Sequence, residues 1–535
     1  MPISCAIIVS ETGAEPAAIA SRMSRPLFNP DRFRDGVMFC FAELGFVIDE
    51  RYAAVHCYVN GLLSQAIIPG IAGHSPGRRW GRIGMSGRAT RQDADPVLRR
   101  TRQRRRAVAG QGAEIIDSEG RRWLDASSSV FVAILGANPP GVAERIMASM
   151  RQLQFSYSGQ FGSAEEDELA AALIRRAPAG FGKVWLTTSG SAANESAVKL
   201  ARQYHLARGK PGKTAVICRW HSYHGSTIGA MSLSGSGPRR RPYQPYLLDM
   251  PHVPPPDCYR CPWGQDESGC DLACAEAFEA EILNRGADNV SAVLVEPVAG
   301  APLGALVAPH GYLSRIREIC DRHDVLMIVD EVVSGLGRTG SWLVIDQDGV
   351  APDMITLAKG LGGGYTPIGA LLLHDRIAGA LDRAGTSFNH GDSFTGHRIM
   401  AAAGAAVVDF IEKERLVERV RENGPRLHAL LAPLEQHPIV GKLRGRGYLY
   451  GVELVADKLT RQPFAREAQV SERVAAAAAR NGVLFQTGNA AANGRDGDTV
   501  MIAPPYVTTD AQLSEIVSVL GRALDDVNAE IRSAA

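Results

Sequence analysis

From about residue 93 to the C-terminus, short aliphatic runs alternate with Ala-rich amphipathic segments, and this alternation constrains the fold more than any other feature of the chain. Aliphatic runs of about four to eight residues bounded by turns suit strands buried on both faces, and Ala-rich stretches with a helical period suit the helices that cover them. The pattern predicts an α/β protein with a mainly parallel sheet. Strands are expected at 183–186, 214–218, 292–295, 325–329 and 354–357, and helices at 192–207, 311–323 and in the Ala-rich stretches after Arg398 and Ser471. A length of 535 residues exceeds what one hydrophobic core organises, so at least two domains or lobes are expected.

Three expected strands lead into a reactive side chain: AVLV into Glu296, VLMIV into Asp330, and MITL into Lys359 two residues on. In open α/β sheets ligands bind at the carboxyl ends of strands, so these groups can converge on one pocket. Singly, each has a plainer reading: a strand-end Asp serves as a turn or cap residue, and a Lys before glycines is a solvated loop residue. Together they supply an amine, a carboxylate and a second carboxylate at one sheet edge. Ser189, Gly190 and Ser191 precede the long segment AANESAVKLARQYHLA, where a helix N-terminus would present N–H groups and hydroxyls to an anion such as phosphate. An ordinary N-cap is the alternative there. Tyr223, in the turn HSYHGS, adds an aromatic face. Amine, carboxylate, phosphate cradle and stacking ring are the four elements that pyridoxal 5'-phosphate (PLP) requires of a protein.

The stretches TTSGSAANESAVKLARQYH, SYHGSTIGA, VLVEPVAGA, VLMIVDEVVSGLGRTG and ITLAKGLGGGYTPIGA resemble, in order, the successive motifs of the class III (ω-type) aminotransferases. The resemblance spans about residues 93 to 530, and the step of 29 residues from Asp330 to Lys359 suits that family. It implies fold type I of the PLP-dependent transferases, with a large domain built on a mainly parallel sheet and a smaller α+β domain made from both ends of the catalytic region. The corresponding expectation for domains is 91–150 and 396–535 for the small one and 151–395 for the large one.

By the same resemblance, Lys359 would form the Schiff base with PLP and shuttle the substrate proton, while Asp330 would hold the ring nitrogen protonated. Ser189, Gly190 and Ser191 would bind phosphate, Tyr223 and Val332 would flank the ring, and Glu296 would order the site. Ser393 in HGDSFTGHR stands where the family places a phosphate-binding Thr contributed to the neighbouring subunit, which implies a homodimer with shared sites. The implied reaction is a ping-pong transfer from an ω-amine or amino acid to a 2-oxo acid such as pyruvate or 2-oxoglutarate. A racemase, aminomutase or decarboxylase would use the same lysine and ring, and a non-catalytic binding module is the alternative of another class.

Substrate residues depart from the family pattern. Where many members clamp the oxo acid's carboxylate with an Arg, GVLFQTGN has Gln486, and a neutral amide cannot replace a guanidinium. Arg495, in AANGRDGD, is the nearby substitute. Phe131, in SSSVFVAILG, aligns with a pocket-wall aromatic of ω-amine transaminases, or is a core Phe of a strand.

With 58 basic and 57 acidic residues, the charge of +1 gives no reason to expect nucleic acid or an anionic membrane surface as partner. Nine cysteines do not form a dense disulfide framework, and the N-terminus lacks the basic region of a secretory signal, so a soluble cytoplasmic protein with reduced thiols is expected. Residues 55–73, the most apolar long stretch, carry Asn60, Gly61, Ser64, Gln65 and Pro69 and do not read as a membrane span. Residues 1–90 show no sustained period and receive no function. They read as an appended extension or as sequence upstream of a start at Met85. GKPGKT at 209–214 lacks the first Gly of a P-loop and runs into a strand, so it is not a nucleotide site. The glycines after Lys359 lack the dinucleotide spacing. Cys258, Cys261, Cys270 and Cys274 form C-x2-C-x8-C-x3-C, which leaves reduced structural thiols or a four-thiolate zinc site open.

Overall fold

The structure, a computed structural model, describes residues 47–48, 54–59, 62–67, 105–266 and 269–534. The chain divides into two compact units, residues 1–100 and 101–535. In the first unit the strands Val47–Ile48, Ala54–Val59 and Leu62–Ile67 pair antiparallel in chain order. The sequence reading finds no strand period there, because each run is short and broken by polar residues. Met85 lies outside the described residues.

The second unit is built on a seven-stranded sheet. In chain order its strands are β1 Phe181–Thr187, β2 Ala215–Arg219, β3 His252–Val253, β4 Val290–Val295, β5 Leu326–Asp330, β6 Met354–Leu357 and β7 Gly369–His374. They lie side by side as β1-β7-β6-β5-β4-β2-β3. Only β7 runs antiparallel to its neighbours, so the other six strands point their carboxyl ends to one edge. Every residue of β4, β5 and β6 is buried, as expected of parallel strands covered on both faces. One cover is the helix Gly190–Ala207, whose Ala193, Ala197, Leu200 and Ala201 are buried at helical spacing. Arg398–Lys413, almost wholly buried over its Ala-rich length, is another helix of the core.

The two ends of this unit meet in a second layer of strands. Arg122–Asp125 pairs in parallel with Val483–Leu484, extending the antiparallel strands Ala107–Gln111 and Glu114–Asp117. Val440–Arg446, Leu449–Asp457, Asp498–Ile502 and Gln486–Asn489 form a separate antiparallel sheet. Among the described residues no helix is long and apolar enough to cross a membrane.

Candidate active site

Strands β6, β5 and β4 are adjacent and parallel, and they deliver Lys359, Asp330 and Glu296 in that order. Neighbouring strands lie about 5 Å apart, so the amine and two carboxylates stand in a row along one sheet edge. Asp330 ends β5 and is 4% exposed. Three donors hold its carboxylate: Asn194 Nδ2 and His224 Nδ1 each reach Oδ2 at 2.8 Å, and the Val332 amide reaches Oδ1 at 3.0 Å. A buried carboxylate bound this way is fixed in direction, with its remaining lone pairs available to a cationic N–H.

Asn194 is the hub of this network. Its Nδ2 also donates to the His224 carbonyl at 2.8 Å, and its Oδ1 accepts from Thr356 Oγ1 at 2.9 Å. It therefore ties the helix Gly190–Ala207 to β5, β6 and the loop after β2. Sequence reasoning missed Asn194, His224 and Thr356. The available signals were an Asn on the apolar side of an Ala-rich helix and a His beside Tyr223.

Lys359 opens the 3-10 turn Lys359–Gly362 with φ of 44°, a left-handed conformation that a side chain rarely adopts. Desolvation pushes its amine below the usual lysine range, and the Arg239 charge acts the same way, while Asp330 and Glu296 oppose the shift. Glu296, directly after β4, is buried against Arg219, whose Nη2 donates to the Glu296 carbonyl at 2.8 Å and approaches Oε2 at 3.3 Å. Burial pushes the Glu296 carboxyl up; the charges of His224 and Arg219 pull against that.

Ser189 is the N-cap of Gly190–Ala207, with its hydroxyl accepting from the Ala192 amide at 3.2 Å. Gly190 packs so closely on Val332 that a Cβ there would stand 3.0 Å from Val332 Cγ1. Ser191 Oγ accepts from the Ser226 amide at 3.1 Å, and a Cβ on Gly225 would come within 2.4 Å of that hydroxyl. Both glycines let the loop after β2 and the turn after β5 close on the helix N-terminus. Tyr223 is half-buried, and the Arg239 guanidinium lies over its ring at 4.6 Å. The residues present fit PLP: a helix N-terminus with free N–H groups and hydroxyls for a dianion, a fixed carboxylate for a ring cation, and a desolvated amine for an aldehyde.

The family profile described as aminotransferase class-III matches residues 99–524. The chain belongs to the class III aminotransferases. It is therefore a PLP-dependent enzyme of fold type I. Among its relatives are an adenosylmethionine-8-amino-7-oxononanoate aminotransferase of Nitratidesulfovibrio vulgaris, 38% identical over 76% of this chain and 75% of the relative. A putrescine–pyruvate aminotransferase of Pseudomonas aeruginosa is 34% identical over 79% of this chain and 90% of its own. The PMP-bound aminotransferase of Vibrio fluvialis superposes with a TM-score of 0.73 at 31% identity, covering 80% of this chain and 93% of that one.

Other expected residues of this class III chain fall outside the cluster. Ser393 is exposed and makes no hydrogen bond to the cradle of its own chain among the described residues. Arg495 is exposed and paired with Glu467 at 2.7 Å, which occupies the guanidinium expected to substitute for the missing clamp. Gln486 starts the strand Gln486–Asn489, where its amide donates to the Thr487 carbonyl at 3.0 Å. Phe131 is not in a strand: it closes the turn Ser128–Phe131, all of whose residues have positive φ, and its ring packs with Val298, Ala305, Leu449 and Met501. That turn is pinned by Ser128 Oγ to the Ala503 carbonyl at 2.7 Å and by Asp125, which accepts from Ser127 and Ser129.

Lys213 of GKPGKT has a structural role, its buried ammonium donating to the carbonyls of Ala287, Val290 and His323. Cys258, Cys261, Cys270 and Cys274 line one cavity of about 10 Å³. Among the described residues no group of three or more His, Cys, Asp or Glu is arranged to hold a metal ion.

Proposed function

We propose that this aminotransferase moves an amino group from an ω-amine or amino acid donor to a 2-oxo acid, pyruvate or 2-oxoglutarate, with Lys359 and Asp330 as its catalytic residues. The observation that carries this reading is the delivery of Lys359, Asp330 and Glu296 by three adjacent parallel strands beside the Ser189–Ser191 turn. PLP, when bound, supplies the electron-withdrawing ring that lets a proton leave the substrate's Cα.

The chain's own groups do the rest. The N–H groups and hydroxyls at Ser189, Gly190 and Ser191 bind the phosphate, Tyr223 and Val332 flank the ring, and Asp330 keeps the ring nitrogen's proton in place. Glu296 orders the floor of the site through Arg219. Lys359 Nζ would carry the proton between the substrate's Cα and the cofactor carbon bonded to the same nitrogen. Its depressed basicity suits this role, because a base must be free of its proton to accept one.

The acceptor assignment is supported by relatives named for pyruvate, the putrescine–pyruvate enzyme and a taurine–pyruvate aminotransferase of Bilophila wadsworthia at 34% identity over 78% of this chain. A homodimer is supported by the exposed Ser393 segment and by the apolar surface of Phe155, Tyr157, Phe161 and Phe394 beside it, where Phe155 and Phe394 meet edge to face at 5.8 Å. A second copy would cover this surface and receive Ser393 at its own cradle. The cysteine pattern supports the cytoplasm as its compartment.

The test is a half-reaction. Holoenzyme mixed with an amine donor alone is expected to shift its cofactor absorption to the amine form, and pyruvate is expected to reverse the shift. Retention of the starting spectrum with every amine, together with isomerisation of a single substrate, would overturn the reading.

A further inference from the structure

The clamp for the oxo acid's carboxylate is missing where the family's sequences place it, since Gln486 is neutral and Arg495 is paired with Glu467. Resting on the aminotransferase reading, we propose that Arg239 is the residue that binds the acceptor's carboxylate and so sets the preference for 2-oxo acids.

Arg239 belongs to a run of three arginines whose members have separate jobs. Arg240 is buried and donates from one nitrogen to the carbonyls of Met231, Ser232 and Ser234 at 2.9, 2.9 and 2.6 Å. Arg241 donates to the Gly494 carbonyl at 2.7 Å, against which Gly237 also packs. Both flanks of Arg239 are thus anchored, which presents its side chain from a fixed backbone.

The Arg239 guanidinium is exposed and has no carboxylate or carbonyl partner among the described residues. It lies over the Tyr223 ring at 4.6 Å, and its charge reaches the Lys359 amine. A cation with a planar fork of donors and no partner of its own, held over Tyr223, is matched to a planar carboxylate carried beside the ring that Tyr223 would flank. Stacking on Tyr223 holds the fork while a substrate enters.

The experiment compares wild type, Arg239→Met and Arg239→Lys as holoenzymes already loaded with the amino group. Each is reacted in single turnovers with pyruvate, with 2-oxoglutarate and with butanal, an acceptor without a carboxylate. Propionate, an unreactive carboxylate, is titrated in parallel by calorimetry. Arg239→Met is expected to raise the half-saturating concentration of both oxo acids by roughly 10- to 100-fold and to weaken propionate comparably, the loss of a charge-assisted contact. Butanal is expected to lose far less than either oxo acid, so that the pyruvate-to-butanal preference falls by most of that factor, and Arg239→Lys to recover part of the loss. Equal effects on butanal and pyruvate, or a weaker hold on cofactor phosphate with unchanged oxo acid saturation, would overturn the assignment. Failure of the wild type to deliver its amino group to any acceptor would instead overturn the aminotransferase reading.

Discussion

Replacing Asn194 by alanine tests whether the Asp330 network is as integrated as its geometry indicates. The side chain is 1% exposed and makes three hydrogen bonds, to Asp330 Oδ2, to the His224 carbonyl and from Thr356 Oγ1, all between 2.8 and 2.9 Å. Water does not replace these partners without opening the core. Taking about 1 kcal/mol for each neutral bond and about 1.5–3 kcal/mol for the one to the carboxylate, the variant should lose roughly 3.5–5 kcal/mol of stability. That is a large share of a typical unfolding free energy of about 5–15 kcal/mol, so the variant should be produced at low temperature. Asp330 would keep two of its three donors, His224 Nδ1 and the Val332 amide. The carboxylate would turn more freely, and the dissociation constant of PLP should rise by roughly 10- to 100-fold. Denaturant unfolding of the apoenzyme measures the first quantity and fluorescence titration with PLP the second. Asn194→Asp keeps the shape but sets a second carboxylate beside Asp330, and it should bind cofactor no better than the alanine variant. An alanine variant within about 1 kcal/mol of wild type, with unchanged PLP affinity, would refute the reasoning.

Further expectations concern the cradle, the partner subunit and acid stability. Gly225→Ala should displace Ser191, since the added Cβ would stand 2.4 Å from its hydroxyl, and should weaken PLP by about tenfold or more in the same titration. Ser393→Ala should raise the PLP dissociation constant by roughly tenfold while leaving the melting temperature of the apoenzyme within a few degrees of wild type. His205 is buried and His252 half-buried, and desolvation holds both down to about 4 from an ordinary 6.5. Groups with depressed native values contribute stability that is present above pH 6.5 and lost as pH falls towards 4, at up to about 1.4 kcal/mol per pH unit for each proton taken up. His205→Gln, which keeps a donor for the Ser291 carbonyl, should flatten the fall in urea midpoint across that window. An unchanged slope would count against His205 as its source.

The fold was readable where burial writes itself into composition. Ala292–Val295 and Leu326–Val329 are all-apolar because both faces are covered, so their positions and the reactive Glu296 and Asp330 that follow could be found from sequence. The antiparallel strand Gly369–His374 and the two-residue His252–Val253 escaped, since neither direction nor so short a pairing leaves a period. The positive-φ turn Ser128–Phe131 was equally hidden: none of its residues is a glycine, and hydrogen bonds from distant parts of the chain hold it. Asn194 and His224 could not be given a role because their partner lies more than 100 positions away. Nothing in the sequence separates Arg239 from Arg240 and Arg241; only the hydrogen bonds of the latter two set it apart.

The central claim is that Lys359 is the residue bonded to the cofactor. Reducing the holoenzyme with borohydride, digesting it and mapping the pyridoxyl group by mass spectrometry tests this directly. The account predicts one modified site, Lys359, and no modification in Lys359→Ala. A pyridoxyl group on Lys213 or any other lysine of the native protein, with Lys359 unmodified, would contradict it.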